Sequence, residues 1–314
     1  MDKLNAVMRN KVSRRKFISG VGAGVGAAAA VSLAAGCGGG SSTTTAPTTV
    51  AATGVTDFDI LNFALNLEYL EAEFYLRAVT GNGLATANIG GSPGTVTGGS
   101  QVPWTIPAIQ QYATETAQEE EQHVIFLRAA ITSLGGIPVD RPTIDFTDAF
   151  NTAASAAGIG SSFNPFDSDQ DFVLGSFTFE DVGVTAYNGA AGLITQDANY
   201  STVLTAAGSI VAVEAYHAGS VRTIIAGLGA TYIGLANQIS TLRGTASAAA
   251  SGGNAAETPL SVTSIVAANS MSLAYNRTTD QVLHIVYLNP MPGVTTKGGF
   301  FPNGMNGTIT ASAS

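Results

Sequence analysis

The sequence is poor in the residues that build disulfide scaffolds, thiolate metal sites and polyanion-binding surfaces. It has one cysteine, Cys37, in 314 residues, which leaves no intrachain disulfide to form. Histidine occurs three times and tryptophan once. Only 11% of residues are charged, 13 basic against 22 acidic. Residues 1–36 hold six of the basic residues and one of the acidic ones, so the remainder carries seven against 21, a net charge of −14. That balance argues against nucleic acid and against charge-driven binding to anionic lipid, and it is compatible with attracting cations. The apolar stretch Gly20 to Ala35 is too short and too glycine-rich for a membrane span.

Against this scarcity, two of the three histidines sit in one pattern. Glu120-Glu121-Gln122-His123 and Glu214-Ala215-Tyr216-His217 each spell Glu-x-x-His. Each is preceded by a glutamate with a tyrosine seven residues on, Glu68 with Tyr75 and Glu180 with Tyr187. Residues three apart on a helix lie on one face about one turn apart, so a Glu and a His so spaced can point at one centre. A single Glu-x-x-His pair is weak, because surface helices carry such pairs as solvated contacts. With ten glutamates in the chain, a random histidine has one three places before it about one time in thirty. Two in three, in alternation with two Glu-x6-Tyr segments, favour a dinuclear metal site inside an all-α four-helix bundle.

The chain opens with a basic segment, Lys3 to Lys16, in which Ser13-Arg14-Arg15-Lys16-Phe17-Ile18 fits a twin-arginine export signal. An ordinary secretory signal is the alternative. Residues 1–36 read as this address, which implies a periplasmic or other extracytoplasmic location. Leu33-Ala34-Ala35-Gly36-Cys37 resembles a lipoprotein cleavage box, with Leu33 one place further from the cysteine than usual. Cys37 is the candidate lipidation site and membrane anchor; cleavage without lipid is the alternative. Residues 37–54, rich in Gly, Ser, Thr, Ala and Pro, read as a flexible tether.

Periodicity then predicts helices over 57–79, 107–134, 169–194 and 200–226, which place the bundle at 55–230. Asp57 is the expected cap of the first. Leu61, Leu65, Glu68, Ala72 and Tyr75 share its stripe; Glu71 is the runner-up ligand and Glu73 is expected in solvent. On the second helix Glu120 falls among Ala113, Ala117, Val124, Leu127 and Ile131, with Glu115, Glu119 and Gln122 turned away. Glu180 and Tyr187 share the third stripe, with Asp181 one step off it. Glu214 and His217 interrupt an otherwise apolar fourth stripe, where an unpartnered charge would be costly. Residues 81–101 form a long loop, and 138–168 a long crossover between helices 2 and 3 with a short helix near 147–157. Residues 231–314 are an extension packed on the bundle, with helices expected at Tyr232–Leu242, Pro259–Tyr275 and Asp280–Leu288, low complexity from Gly244 to Ala256, and His284 as a core residue.

Leu61 to Glu71, Glu120 to Leu127, Glu180 to Tyr187, Glu214 to His217 and the ending Gly298 to Gly307 resemble the ferritin-like superfamily. The similarity is to its exported branch, which includes the plant desiccation-related proteins and fungal stress relatives, and it covers most of residues 57–307. The resemblance implies that Glu68, Glu120, His123, Glu180, Glu214 and His217 are the ligands of two Fe or Mn ions. Hard carboxylates with imidazole suit those metals, and thiolates for soft metals are absent. The resemblance implies this site more firmly than a reaction; two adjacent redox metals can take dioxygen or peroxide between them, which points to an oxidoreductase oxidising Fe(II) or removing peroxide in stress protection, and the alternative is a non-enzymatic structural or desiccation-related envelope protein that keeps the bundle. Tyr75 and Tyr187 either hydrogen-bond ligand carboxylates or fill the core. With no Cys-x-x-Cys, a rubredoxin-type iron centre is missing. The long loop and the C-terminal region argue against a ferritin-type storage cage, while a homo-oligomer stays open.

Overall fold

The computed structural model describes residues 54–195, 197, 200–250 and 257–313. The export segment, Cys37, all of the tether but Gly54, and residues 251–256 of the low-complexity stretch lie outside them. The described chain is helical. Four long helices, α1 (Asp57–Thr80), α2 (Pro107–Ser133), α4 (Asp169–Ala190) and α5 (Tyr200–Leu228), make the bundle, with α1 packed mainly on α2 and α4 mainly on α5. Between α2 and α4 lies the crossover, which carries α3 (Thr147–Ala157) where a short helix was expected. After the bundle come α6 (Ala230–Ala249) and α7 (Thr279–Val286), packed on each other and on α4. The strands are two residues long: β1 (Val96–Thr97) pairs in parallel with β2 (Ile144–Asp145) and so ties the 81–106 loop to the crossover.

Local chemistry sets the helix ends. Thr56, not Asp57, caps α1: its hydroxyl accepts from the Asp59 amide at 3.3 Å and the Asp59 carboxylate accepts from the Thr56 amide at 2.7 Å. Asp57 instead takes the Thr195 amide at 2.8 Å. Gly81 closes α1 in the left-handed region at φ 77°. Pro107 opens α2, where its missing N–H costs nothing, and the Ser168 hydroxyl caps α4. The third predicted helix is shorter than expected, ending at Ala190 with a 3₁₀ turn to Leu193; α6 runs further, because Ala246 and Ser247 are buried contacts.

The two helix pairs are buried differently. α2 and α5 bury one stripe each, the one their periodicity predicts. From Ile60 to Tyr75 α1 is buried all round, and so is α4 apart from its ends, because the crossover and the C-terminal region cover their outer sides. Phe74 on α1 shows how. Its ring meets Phe172 and Phe179 of α4 and Phe146, Phe150 and Phe166 of the crossover, while Phe300 of the tail stacks edge-on against Phe150 and Phe179. On another side Asn66, fully buried, donates to the Asn306 carbonyl at 2.8 Å and accepts its amide at 2.9 Å. Glu73, expected in solvent, has no exposed surface; it pairs with Arg77 at 2.9 Å and with Arg141 of the crossover.

Residues 259–275 form turns and two isolated bridges, Ser261 with Ser264 and Ala268 with Ala274, rather than the expected helix. Asn269 competes for the backbone, its side chain accepting the amides of Met271 and Leu273. The segment is held by a buried ion chain. Arg222 and Arg243 both reach Asp181, at 2.8 and 2.9 Å, and Arg243 and Arg277 both reach Glu257, at 2.8 and 2.6 Å. His284 is fully buried as expected, between the Asn289 carbonyl at 2.9 Å and Ser312 Oγ at 3.2 Å.

Removing one partner of a buried pair leaves the other charge uncompensated. Asp181→Ala, which leaves Arg222 without an acidic partner and Arg243 with Glu257 alone, should lower the free energy of unfolding by about 3–5 kcal/mol in chemical denaturation. A loss typical of a surface pair would show that the ion chain does not hold the C-terminal region.

Candidate metal centre

The bundle brings all six predicted site residues to one place. Two groups of four have ligand atoms within 4.8 Å of one another: Glu68, Glu120, His123 and Glu214, and Glu120, Glu180, Glu214 and His217. Glu120 and Glu214 belong to both. Each group therefore has one histidine, one carboxylate of its own and two carboxylates in common, and every member is buried. His123 Nδ1 lies 3.1 Å from Glu68, 3.4 Å from Glu120 and 3.5 Å from Glu214. His217 Nδ1 lies 2.9 Å from Glu120 and 3.6 Å from Glu180.

The repeated Glu-x6-Tyr segments answer one another across the bundle. Tyr75 of α1 donates to Glu180 of α4, and Tyr187 of α4 donates to Glu68 of α1. Both tyrosines are buried in the core as well, so they fill space and hydrogen-bond the candidate ligands at once. Tyr75 also meets the Tyr112 hydroxyl at 3.1 Å.

Three further residues shape the site. Glu119, expected to turn away, has its Oε2 2.7 Å from His217 Nε2 although 42% of its side chain is exposed. A carboxylate on the outer ring nitrogen leaves Nδ1 facing inward, where it can bind an ion once its proton is lost. Periodicity missed it because a glutamate at the edge of a stripe is long enough to reach the next helix. Gly183 is the second. A Cβ there would stand 2.1 Å from Glu214 Oε2 and 3.5 Å from Glu71 Oε1, so the Glu214 carboxylate occupies the space of a side chain. Its sequence signal was a glycine in the middle of a helix, at a cost of roughly 0.5–1 kcal/mol against alanine. The third is Glu71, the runner-up ligand. It is buried beside the cluster but belongs to neither group of four.

The electrostatics are those of anions crowded together away from bulk solvent. Burial pushes the Glu68, Glu71, Glu180 and Glu214 carboxyls up, Glu180 to about 8, and neighbouring carboxylates raise Glu71 and Glu214 further. Glu120 moves the other way: burial opposes its charge, but the rings of His123 and His217 hold it well below the ordinary carboxylate range. Burial works against the histidine charges too, yet Glu68 and Glu120 lift His123 to about 11, and Glu180 and Glu120 lift His217 to about 10. Both oxygens of Glu120 and Glu214, one of Glu180 and Nδ1 of His217 are buried without a well-aligned hydrogen bond, although His217 Nδ1 and Glu120 lie 2.9 Å apart as an ion pair. An unsatisfied buried polar atom costs roughly 1–3 kcal/mol. Six such atoms facing one space make a donor set that could hold metal.

With fold and site in view, the class is settled by comparison. The profile of the ferritin-like domain family matches residues 56–227, more than half of the chain, and the chain belongs to that family. Among individual proteins it is 28% identical over 280 residues to the ferritin-like catalase Nec2 of Nesocodon mauritianus, a match that covers 83% of this chain and 88% of that protein. It is 29% identical over 177 residues to the desiccation-related protein PCC13-62 of Craterostigma plantagineum, covering 54% of this chain and 53% of that one.

Gly183→Ala should force the Glu214 carboxylate aside and lower the metal bound per chain, with little change in helix content by circular dichroism; undiminished metal would show that Glu214 needs no such space. The pH dependence of the metal-free protein has a fixed sign. Glu180, raised from 4.5 to about 8, and His217 and His123, raised from 6.5 to about 10 and about 11, bind protons more tightly folded than unfolded. The stability each contributes is full below its unfolded value and is lost by its folded one. Denaturation midpoints should therefore fall as pH rises across that range, and metal binding should release protons in an unbuffered titration. A flat profile with no proton release would overturn the raised values.

Proposed function

We propose that the six residues hold two Fe or Mn ions and that the protein is an oxidoreductase acting on peroxide, disproportionating two hydrogen peroxide molecules into two water molecules and one dioxygen. The observation that carries it is the pair of overlapping groups sharing Glu120 and Glu214. Four glutamates balance the charge of two divalent cations, and oxygen and imidazole donors suit Fe and Mn. Such a pair, when bound, would supply two adjacent redox centres that together exchange the two electrons of a peroxide. The similarity to a protein named as a catalase favours peroxide over the second reading, oxidation of Fe(II).

The protein's own residues have definite parts. Glu68 with His123, and Glu180 with His217, would each serve one ion, and Glu120 and Glu214 both. Tyr187 and Tyr75 hold Glu68 and Glu180 in orientation by hydrogen bonds and fill the space beside them. Glu119 fixes the His217 ring. Glu71, whose burial favours its neutral form, is placed to hold a proton next to the cluster. The phenylalanines around Phe74 keep bulk water from one end of the site. Export by the twin-arginine route belongs to the same reading, since that route carries folded, cofactor-loaded proteins. Its support is the motif at residues 13–18, and Cys37 would be the anchor. Among the described residues no helix is long and apolar enough to cross a membrane.

The test is metal content per chain on protein from its native export route, followed by oxygen evolution from peroxide. About two Fe or Mn per chain with oxygen release is expected, and Glu120→Ala and His217→Ala should each abolish two-metal binding. Two metals without turnover of peroxide or Fe(II) would leave the non-enzymatic stress-protein reading. Retention of both metals in both variants would sink the ligand assignment.

A further inference from the structure

A second internal feature lies against the cluster. Between α1, α3, α4, α6 and α7 runs a largely enclosed cavity of about 40 Å³, whose walls include Leu67, Leu174, Val182, Ala246 and Val286. Its lining includes Glu71 and Gly183, the two residues that flank the Glu214 carboxylate, so it lies against the cluster. Its lining also includes Ile159 and Phe163, half-buried residues of the crossover that reach the surface.

The walls decide what fits. Besides Glu71, the polar side chains lining it are Thr178 and Arg243. Thr178 donates to the Leu174 carbonyl at 3.3 Å. Arg243 is taken up by Asp181, Glu257, Ser240 and the Phe177 carbonyl. That leaves the Glu71 carboxyl, 5% exposed, as the polar group free to meet an occupant. A buried water typically makes about three hydrogen bonds and needs a space of only about 10–15 Å³. There is room for water here, but not the partners. Apolar cavities with that balance stay dry and take apolar guests such as xenon or benzene.

We propose that this cavity is a dioxygen-binding compartment, opening on the carboxylate–histidine cluster between Glu71 and Gly183 and on the surface beside Ile159 and Phe163. Its purpose rests on the proposed peroxide reaction, in which dioxygen is the product: an apolar diatomic leaves a polar site through the wall where it loses least, while peroxide and water, which need hydrogen bonds, are excluded. Its existence as a gas site does not depend on that reaction.

The decisive measurement uses the metal-free protein as well as the loaded one. Crystals pressurised with xenon, and then with oxygen, should show a gas atom or molecule between Leu174, Val182 and Ala246 in both. Ala246→Leu, and separately Ala154→Leu, place a larger side chain on the wall from helices that carry no candidate ligand, and should abolish the xenon peak while leaving metal content unchanged. Where the loaded protein releases oxygen from peroxide, the same variants should slow that release. Ordered water filling the cavity, or no xenon in the parent protein, would overturn the compartment whatever the activity. Xenon bound without any peroxide turnover would keep the gas site and remove the peroxide reading. Unchanged oxygen release from a filled cavity would overturn its use as the exit.

Discussion

Four carboxylates share one space buried from bulk solvent in this protein, and most of the architecture around them answers their repulsion. Buried anions this close can be held by protons, by histidine charge or by metal cations. In the metal-free protein the first two act together. Glu120 stays ionised between two raised imidazoles, while Glu214 and Glu180 favour the proton. The arrangement is selective about its third option. Six donor atoms without a well-aligned hydrogen bond, all oxygen or imidazole nitrogen, meet a hard divalent cation better than they meet one another.

The surrounding residues repeat the alternation of Glu-x6-Tyr and Glu-x-x-His segments without copying it. Tyr75 with Glu180 and Tyr187 with Glu68 are one contact made twice, as two related helix pairs would make it. The outer surroundings differ. His217 leans on a half-exposed glutamate, while Glu71 and an apolar cavity lie on the side of α1 and α4. The two halves of the site therefore face different media, one reaching toward solvent charge and the other toward a wall of hydrocarbon.

How much of this was legible in the sequence follows from which faces the helices bury. α2 and α5 present a solvent side, so their apolar stripes stand out and Glu120, Glu214 and His217 could be placed by their interruption of a greasy pattern. α1 and α4 have almost no solvent side. Periodicity along them carried little information, which is why Glu73 was assigned to water when it is buried against Arg77 and Arg141. The crossover helix was legible from its small residues between prolines. Residues 259–275 were not, because their fate is decided by Arg222 and Asn237, which bind the carbonyls of Thr258, Leu260 and Ile265 from distant helices. Glu119 needed a chemical rule rather than a pattern: a ligating imidazole wants an acceptor on its other nitrogen.

The bond between Asn66 and the backbone of Asn306 also orders events in time. It joins positions 240 residues apart and sits two residues before Glu68. Contacts of such separation close late, since the loop between them must be ordered first. On a growing chain, the first helix is complete long before the segment that seals it has been made. Until then the wall that Phe300 builds against Phe150 and Phe179 is absent. The outer covering of the first helix is thus supplied by a segment that the chain makes last, long after the four helices that carry the cluster.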